Sequence, residues 1–312
     1  MINFKLIGAG LLLCIATPLF AHNHDEFEKV KIQTVPVKDG IYMLIAQGGN
    51  IGISVGDDGV FMIDDQFAPL TDKIKTAIKK LSDKPIKYVF NTHWHFDHTG
   101  GNENLGRKGT IIVAHESARE RLLKGGVIKA FNQKIKPAKK AALPEITFND
   151  KMTFHINGET VEIIHTPNAH TDGDAVLFFK KSNVVHTGDI YFNGFYPFID
   201  VSSGGNIDGL INSATVIINK IDDNTKVIPG HGKLSNKKEL IEYRDTLIVL
   251  GDRMKSLISQ GKTLEEIVAI MPNKDIDKRL GGGFLNPESF LKILYYVVIR
   301  INQTTGSHSN QL

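Results

Sequence analysis

Three histidines and an aspartate fall within six consecutive positions of this chain: His93, His95, Asp97 and His98, in NTHWHFDHTGGN (91–102). Protonated imidazoles packed that closely repel one another, so some other charge must hold the rings neutral. Histidine and carboxylate ligands without thiolate suit zinc or another first-row metal. One four-coordinate catalytic metal keeps a position open, and four groups exceed what it would use. Two metals side by side account better for the crowding. More ligands are then needed, and similar settings offer them: His170 in the turn TPNAHTDGD, Asp189 ending the strand NVVHTGD, and His231 in IPGHG. Each lies beside glycine where an apolar strand ends. Such a centre could support hydrolysis, because a metal lowers the pKa of bound water from 15.7 to about 7. His22, His24, His115, His155, His165, His186 and His308 lack such settings and read as ordinary solvated side chains.

Rigid strand ends must position these groups. KIQTVPV (31–37), IYMLIA (41–46), NIGISVG and VFMIDD (60–65) alternate around Lys38-Asp39-Gly40 and Asp57-Asp58-Gly59, which predicts an antiparallel meander. Apolar residues at 70, 74, 77, 78 and 81 have a helical period. IKYVF (86–90) and TIIVA (110–114) read as strands, and His115 to Lys124 as a helix. Residues 125–145 read as a basic, irregular surface excursion. MTFHINGETVEIIHT (152–166) reads as a hairpin about Asn157-Gly158. Strands at 174–179 and 183–189, a helix over about 207–221, the strand TKVIPG and a helical tail from about 235 complete the order, with Asn286-Pro287 opening the last helix. Helices should cover the outer faces of two packed sheets. No Pro/Gly/Ser-rich linker divides residues 22–312, which read as one domain.

The composition is that of an ordinary globular chain, with 41% hydrophobic and 23% charged residues in 312. Lys5, the apolar run Leu6 to Phe20 and Ala21 read as a signal peptide over residues 1–21, which places the mature protein in the periplasm or outside the cell. Cys14, the sole cysteine, lies inside that segment, so the mature chain has no thiolate ligand. Removing Lys5 takes one positive charge from a formal +3, and so balanced a chain gives no support to a nucleic-acid partner. No membrane span is expected once the signal is cleaved. That cut would leave His22-Asn23-His24 at the N-terminus, where the amine, two amides and an imidazole could bind Cu(II).

THWHFDHTGGN resembles the HxHxDH signature of the metallo-β-lactamase fold superfamily. The partners HTDGD, TGD and PGHG follow in the family's order, and the resemblance covers about residues 31–235. It implies an α/β protein: an αββα sandwich of two mixed sheets flanked by helices, here with a helical C-terminal tail. It further implies two Zn2+ ions along one edge. His93, His95 and His170 would hold the first, Asp97, His98 and His231 the second, and Asp189 would bridge them. Asp97 would also orient the nucleophile, and Asp64 in MIDD would orient a ligand from outside. The aspartate at 189 stands where some lactamases carry cysteine and is similar to glyoxalase II and the lactonases. Phe192 occupies the place of those lactamases' cationic clamp, and no Lys or Arg occurs between 182 and 219. The tail lacks a clear pattern for glutathione or tRNA.

The resemblance implies an exported zinc hydrolase of a small ester, lactone, β-lactam or thioester. Phosphoryl or sulfuryl ester hydrolysis, a non-catalytic metal-binding accessory role and an iron-dependent persulfide oxygenase are the alternatives. IYFNGFYPFIDVSSGGN (190–206) is dense in aromatics, and Tyr191, Phe192, Phe195, Tyr196 and Phe198 are either an apolar substrate wall or core packing. Ser202, Ser203 and Asn206 are candidate polar contacts. GGGF (281–284) is either a lid segment or a loop between helices.

Overall fold

Neighbouring residues of a strand face opposite sides of its sheet. In GVFMI, Phe61 and Ile63 join one buried cluster while Val60 and Met62 join another. That division builds the molecule in layers. The computed structural model describes residues 24–306. The expected signal peptide and the copper-binding reading at His22-Asn23 lie outside the described residues.

The first sheet contains β1 (Gln33–Lys38), β2 (Ile41–Ile45), β3 (Ile51–Gly56), β4 (Gly59–Ile63), β5 (Ile86–Asn91) and β6 (Ile111–His115). A separate hairpin follows, β7 (Gly126–Ile128) with β8 (Gln133–Ile135), and β9 (Ile146–Phe148) then closes the first sheet beside β6. Strands β1 to β4 form the antiparallel meander, and β4, β5, β6 and β9 are parallel. The second sheet orders β10 (Lys151–Ile156), β11 (Glu159–Thr166), β12 (Asp174–Phe179), β13 (Val184–His186), β14 (Lys226–Ile228) and β15 (Ser235–Asn236). Only its β13–β14 pair is parallel. Parallel neighbours need a crossover. The helices Thr71–Lys79 and Ile207–Lys220 supply it between β4 and β5 and between β13 and β14.

Phe61, Ile63 and Phe90 of the first sheet meet Ile163, Leu177 and Phe179 of the second in the layer between the sheets. Ile74, Ala77 and Ile78 of the first crossover helix cover Val60, Met62 and Val89. The second sheet's outer residues Val176, Phe178 and Val227 pack with Leu210 and Ile217 of Ile207–Lys220. Leu247 and Leu250 of the helix Lys237–Ser259 and Phe290 and Leu294 of Pro287–Gly306 extend that layer. The result is the αββα sandwich, with the C-terminal helices on one outer face. Asn286 accepts from the Ser289 N–H at 2.8 Å, capping the last helix. Asn157 and Gly158 have φ of 56° and 71°, the left-handed pair a type I′ hairpin turn requires. Among the described residues no helix is long and apolar enough to cross a membrane.

Three expectations need correction. His115, read as solvated, is buried, and its Nε2–H donates to the Asn149 carbonyl at 2.8 Å. The 125–145 excursion is not wholly irregular: it carries the β7–β8 hairpin, anchored by buried Ile128, while its lysines stay exposed. His186, read as solvated, is fully buried. Its Nε2–H donates to the Asn50 carbonyl at 3.2 Å and its Nδ1 accepts from the Gly188 N–H at 3.2 Å. Burial pushes this imidazole down to about 4. An unfolded chain takes up a proton near 6.5, and the folded one resists until about 4. Below about 6.5 the unfolded state therefore binds more protons, and stability falls with pH by up to roughly 3 kcal/mol from this group. We expect His186→Gln to have a shallower fall in urea midpoint between pH 7 and pH 4.5 than the wild type, both in chelator. Equal slopes would refute it.

Candidate metal centre

The ends of β4, β5, β13 and β14, with the turn between β11 and β12, open on one edge of the sandwich. Asp64 follows β4 with a φ of 61°, a left-handed conformation rare outside glycine and asparagine. That turn aims its carboxylate at the segment after β5. Asp64 Oδ1 accepts from the Thr92 N–H at 2.7 Å, and Oδ2 from Thr92 Oγ1 at 2.8 Å and His98 Nδ1 at 2.7 Å. His95 stands at the N-cap of the short helix Phe96–Thr99, which swings Asp97 and His98 toward the same point. Asp189 sits in the single turn Gly188–Ile190. Two glycines clear room: an added Cβ at Gly49 would lie 2.1 Å from His98 Cε1, and one at Gly230 2.1 Å from Asp189 Oδ1.

All seven residues singled out in the sequence meet there. Ligand atoms of His93, His95 and His170 lie within 4.8 Å of one another, as do those of Asp97, His98 and His231. Asp189 stands between the two groups. Its Oδ2 faces His170 Nε2 at 3.5 Å and His93 Nε2 at 3.9 Å. Its Oδ1 faces His98 Nε2 at 3.1 Å and His231 Nε2 at 3.4 Å.

Hydrogen bonding on the far side of each ring assigns the protons. His95 Nε2 faces the Asp200 carboxylate at 3.0 Å and must donate. His170 Nδ1 faces the Phe198 carbonyl at 2.7 Å and must donate. In neutral rings the remaining nitrogens, His95 Nδ1 and His170 Nε2, then carry lone pairs, yet they stand 2.8 Å apart. Likewise His98 donates from Nδ1 to Asp64, so its Nε2 lone pair faces His231 Nε2 at 3.3 Å. Among the described residues buried His93 Nε2 and Asp189 Oδ1 have no hydrogen-bond partner. Acceptors pointed at acceptors in a largely buried site fit a cation, and this donor set suits a divalent metal.

The electrostatics agree. Burial opposes charge on His231, but Asp189 and Asp97 outweigh it and raise the ring to about 9. His98 is raised for the same reason, against burial, by Asp189, Asp97 and Asp64. Asp97 is lowered to about 2, burial opposing and His98 and His231 pulling it down. Asp189 falls well below the usual carboxylate range, held there by His98 and His231 against burial. In contrast, burial lowers His170 to about 4, keeping that ring a neutral ligand.

The aromatic segment divides. Phe192 stacks on His231 at 5.1 Å, and Phe198 lies 5.7 Å from His95 and 5.6 Å from His170. Phe195 borders the cleft beside His231. Tyr191 and Tyr196, offered as wall residues, instead turn into the helical layer. Tyr191 bonds Ser235 at 2.9 Å and packs on Tyr243, and Tyr196 bonds Asp277 and stacks on Phe290. Burial pushes the Tyr191 phenol up to about 12.

Sequence reasoning missed two residues. Asp200 accepts from His95 and from the backbone and hydroxyls of Ser202 and Ser203, and Trp94 Nε1 donates to Ser203 Oγ at 3.1 Å. Ser202 and Ser203 therefore serve Asp200, while Asn206 caps the helix Ile207–Lys220. Lys233 is the second residue, exposed beside His231 in a cleft of about 380 Å³. The four-residue GGGF segment brings Phe284 to the same cleft, 6.2 Å from His231.

The sequence matches the family profile described as Metallo-beta-lactamase superfamily over residues 45–250. A hydroxyacylglutathione hydrolase of Pelagibacter ubique (strain HTCC1062) is 28% identical over 165 residues, 50% of this chain and 57% of that protein. A linear primary-alkylsulfatase of Pseudomonas sp. (strain ATCC 19151) is 22% identical over 251 residues, 68% of this chain and 47% of that protein. Among solved structures, the stereoselective inverting sec-alkylsulfatase Pisa1 from Pseudomonas sp. is similar with a TM-score of 0.63. It is 19% identical, over 85% of this chain and 50% of that one, a likeness of fold alone. The chain spans about half the length of these relatives.

Proposed function

From a chain that belongs to the metallo-beta-lactamase superfamily, we propose an exported hydrolase that holds two zinc ions and cleaves a small ester, lactone, β-lactam or thioester. The observation that carries it is the pair of ligand groups with Asp189 between them, each converging its ligand atoms on a common point. His93, His95 and His170 would hold one ion and Asp97, His98 and His231 the other, with Asp189 shared. Zinc bound there supplies Lewis acidity toward a carbonyl oxygen and lowers the pKa of water to about 7. Asp64 and Asp200 fix the ring orientations of His98 and His95, so the ligand atoms are preorganised. Asp97, more accessible than Asp189 at 20% exposure against 5%, would orient the attacking nucleophile. Phe192 and Phe198 keep solvent from the ligands' apolar side. Export is supported by the Lys5-to-Ala21 segment.

A second reading, sulfuryl ester hydrolysis, is favoured by likeness to the alkylsulfatase and by the cation Lys233 in the cleft, which the 182–219 segment lacks. Elemental analysis of natively purified protein and a panel of ester, lactone, β-lactam, thioester and aryl sulfate decide between them. We expect two equivalents of zinc, turnover of an acyl substrate, loss of turnover in chelator and its return with zinc. Iron in place of zinc would point to oxygenase chemistry. Inertness of metal-replete protein on the whole panel would favour the accessory role. Asp97→Ala should abolish turnover and keep most of the metal if the protein is an enzyme.

A further inference from the structure

A ligating imidazole is held best by a bond on its far ring nitrogen. His95 has Asp200 there, His98 has Asp64, and His170 has the Phe198 carbonyl. His93 Nδ1 donates to Thr92 Oγ1 at 3.1 Å, and that hydroxyl donates onward to Asp64. Among the described residues His231 Nδ1 has no such partner, and its Nε2 is the nitrogen that faces Asp97, Asp189 and His98. Phe192 stacks on the ring at 8° and fixes its plane. A stack permits sliding, so the position of Nε2 follows from where the backbone stands. That backbone is held by one buried residue of the other sheet, Asn50, which enters β3. Asn50 Nδ2 donates to the Pro229 and Gly232 carbonyls, both at 2.9 Å, and its N–H donates to the Gly230 carbonyl at 2.7 Å. The carbonyls on both sides of His231 thus end on Asn50. The two glycines ahead of it hold another ligand of the same group. Gly49 N–H donates to the Asp97 carbonyl at 3.1 Å, and a Cβ at Gly48 would lie 2.8 Å from that oxygen. Gln66 brackets the glycines, its Oε1 accepting from Gly48 N–H at 3.3 Å and its Nε2 donating to the Gly49 carbonyl. Among the described residues no hydrogen bond joins this segment to His93, His95 or His170.

We propose that Asn50 is the positioning residue for His231: it does through the backbone what Asp200 and Asp64 do through the rings of His95 and His98. The inference rests on the two-ion reading and deepens it, because the two ligand groups are then held by separate supports. An amide is required, since one NH2 gives its two hydrogens to two carbonyls. A carboxylate there turns acceptor against acceptor, and a leucine of similar size donates nothing. Either leaves the Pro229 and Gly232 carbonyls short of a partner. The turn then relaxes and carries His231 Nε2 away from Asp97 and Asp189, while His93, His95 and His170 keep their own supports.

The test follows each ion separately in the full chain with Asn50→Leu, Asn50→Asp and the milder Asn50→Ser, which keeps one donor. Zinc is titrated against a chromogenic chelator, and ring-nitrogen NMR shifts of histidine-labelled protein show which imidazoles have coordinated. Wild type should take up both ions. In Asn50→Leu and Asn50→Asp the uptake reported by His98 and His231 should weaken about tenfold, with Asn50→Ser in between. Uptake reported by His93, His95 and His170 should stay at the wild-type value. A merely structural role would lower the urea midpoint and move both uptakes together or neither. Amide exchange in chelator gives a reading without metal: residues 226–236 should exchange faster in the variants, and residues 159–174 should not. Wild-type uptake of both ions in all three variants, or an equal weakening of both, would overturn the proposal. A wild type that takes up no second ion sinks the two-ion reading by itself. Exchange then decides the role of Asn50 alone, and unchanged protection over 226–236 would overturn it.

Discussion

Asp189→Asn is expected to lose at least about 10³-fold in kcat/KM, roughly 4 kcal/mol, and to retain less than the full metal complement after gel filtration. The wild-type carboxylate divides its two oxygens between the two histidine groups, Oδ2 toward His93 and His170 and Oδ1 toward His98 and His231. An asparagine has the same shape but offers one oxygen and one NH2. Whichever way the amide turns, its NH2 donates into imidazole lone pairs that bound ions would need, and the whole of the carboxylate's negative charge disappears. Gly230 leaves no slack for the amide to move away, since Asp189 already fills the space a Cβ there would take. The replacement is isosteric, so the protein should fold, with an unaltered far-UV spectrum. Excess zinc should restore part of the metal content and little of the activity. Asp97→Ala differs: Asp97 serves one group only, and more of the metal should remain. A variant at 189 that kept both equivalents and turned over within tenfold of wild type would show that the carboxylate does not join the two groups.

How much of this was legible depends on what local sequence records. Strand alternation records which face is buried, so the meander, the Asn157-Gly158 hairpin and the crossover helices could be read directly. The seven clustered residues could be read too, four from their crowding into six positions and His170, Asp189 and His231 from strand ends near glycine. The aromatic segment was ambiguous for a geometric reason. Tyr191 is extended, with φ −131° and ψ 123°, so Tyr191 and Phe192 point to opposite sides, one to the helices and one to His231. Composition cannot show that split. His186 looks like any histidine in a chain, and only the closure of one sheet on the other makes it buried and neutral. The clearing role of Gly49 is equally silent, since the ring it accommodates belongs to His98. Asp200 had no motif at all, as its partner His95 lies 105 residues earlier. The one available signal was the FIDVSS pattern, an acid just ahead of two hydroxyl residues that can donate back to it.

Asp200 therefore gives the second large effect, and the two replacements there separate packing from proton placement. Asp200→Ala removes the acceptor for His95 Nε2, for the Ser202 and Ser203 N–H groups and for both hydroxyls. Several buried donors lose their partner, which should cost on the order of 2–3 kcal/mol in urea unfolding with chelator present. Asp200→Asn keeps an oxygen for the serines and should cost less. Its amide, however, can donate to His95 Nε2, which moves the ring proton to Nδ1. That nitrogen faces His170 Nε2 at 2.8 Å, so the proton would occupy the place of the cation. Both variants should thus weaken metal affinity about 10- to 100-fold in competition with a chromogenic chelator, although only the alanine is strongly destabilised. Loss of affinity without loss of stability in the asparagine variant is the signature of a tautomer set from outside. If Asp200→Asn instead bound metal as tightly as wild type, the His95 proton would be placed by something other than this carboxylate.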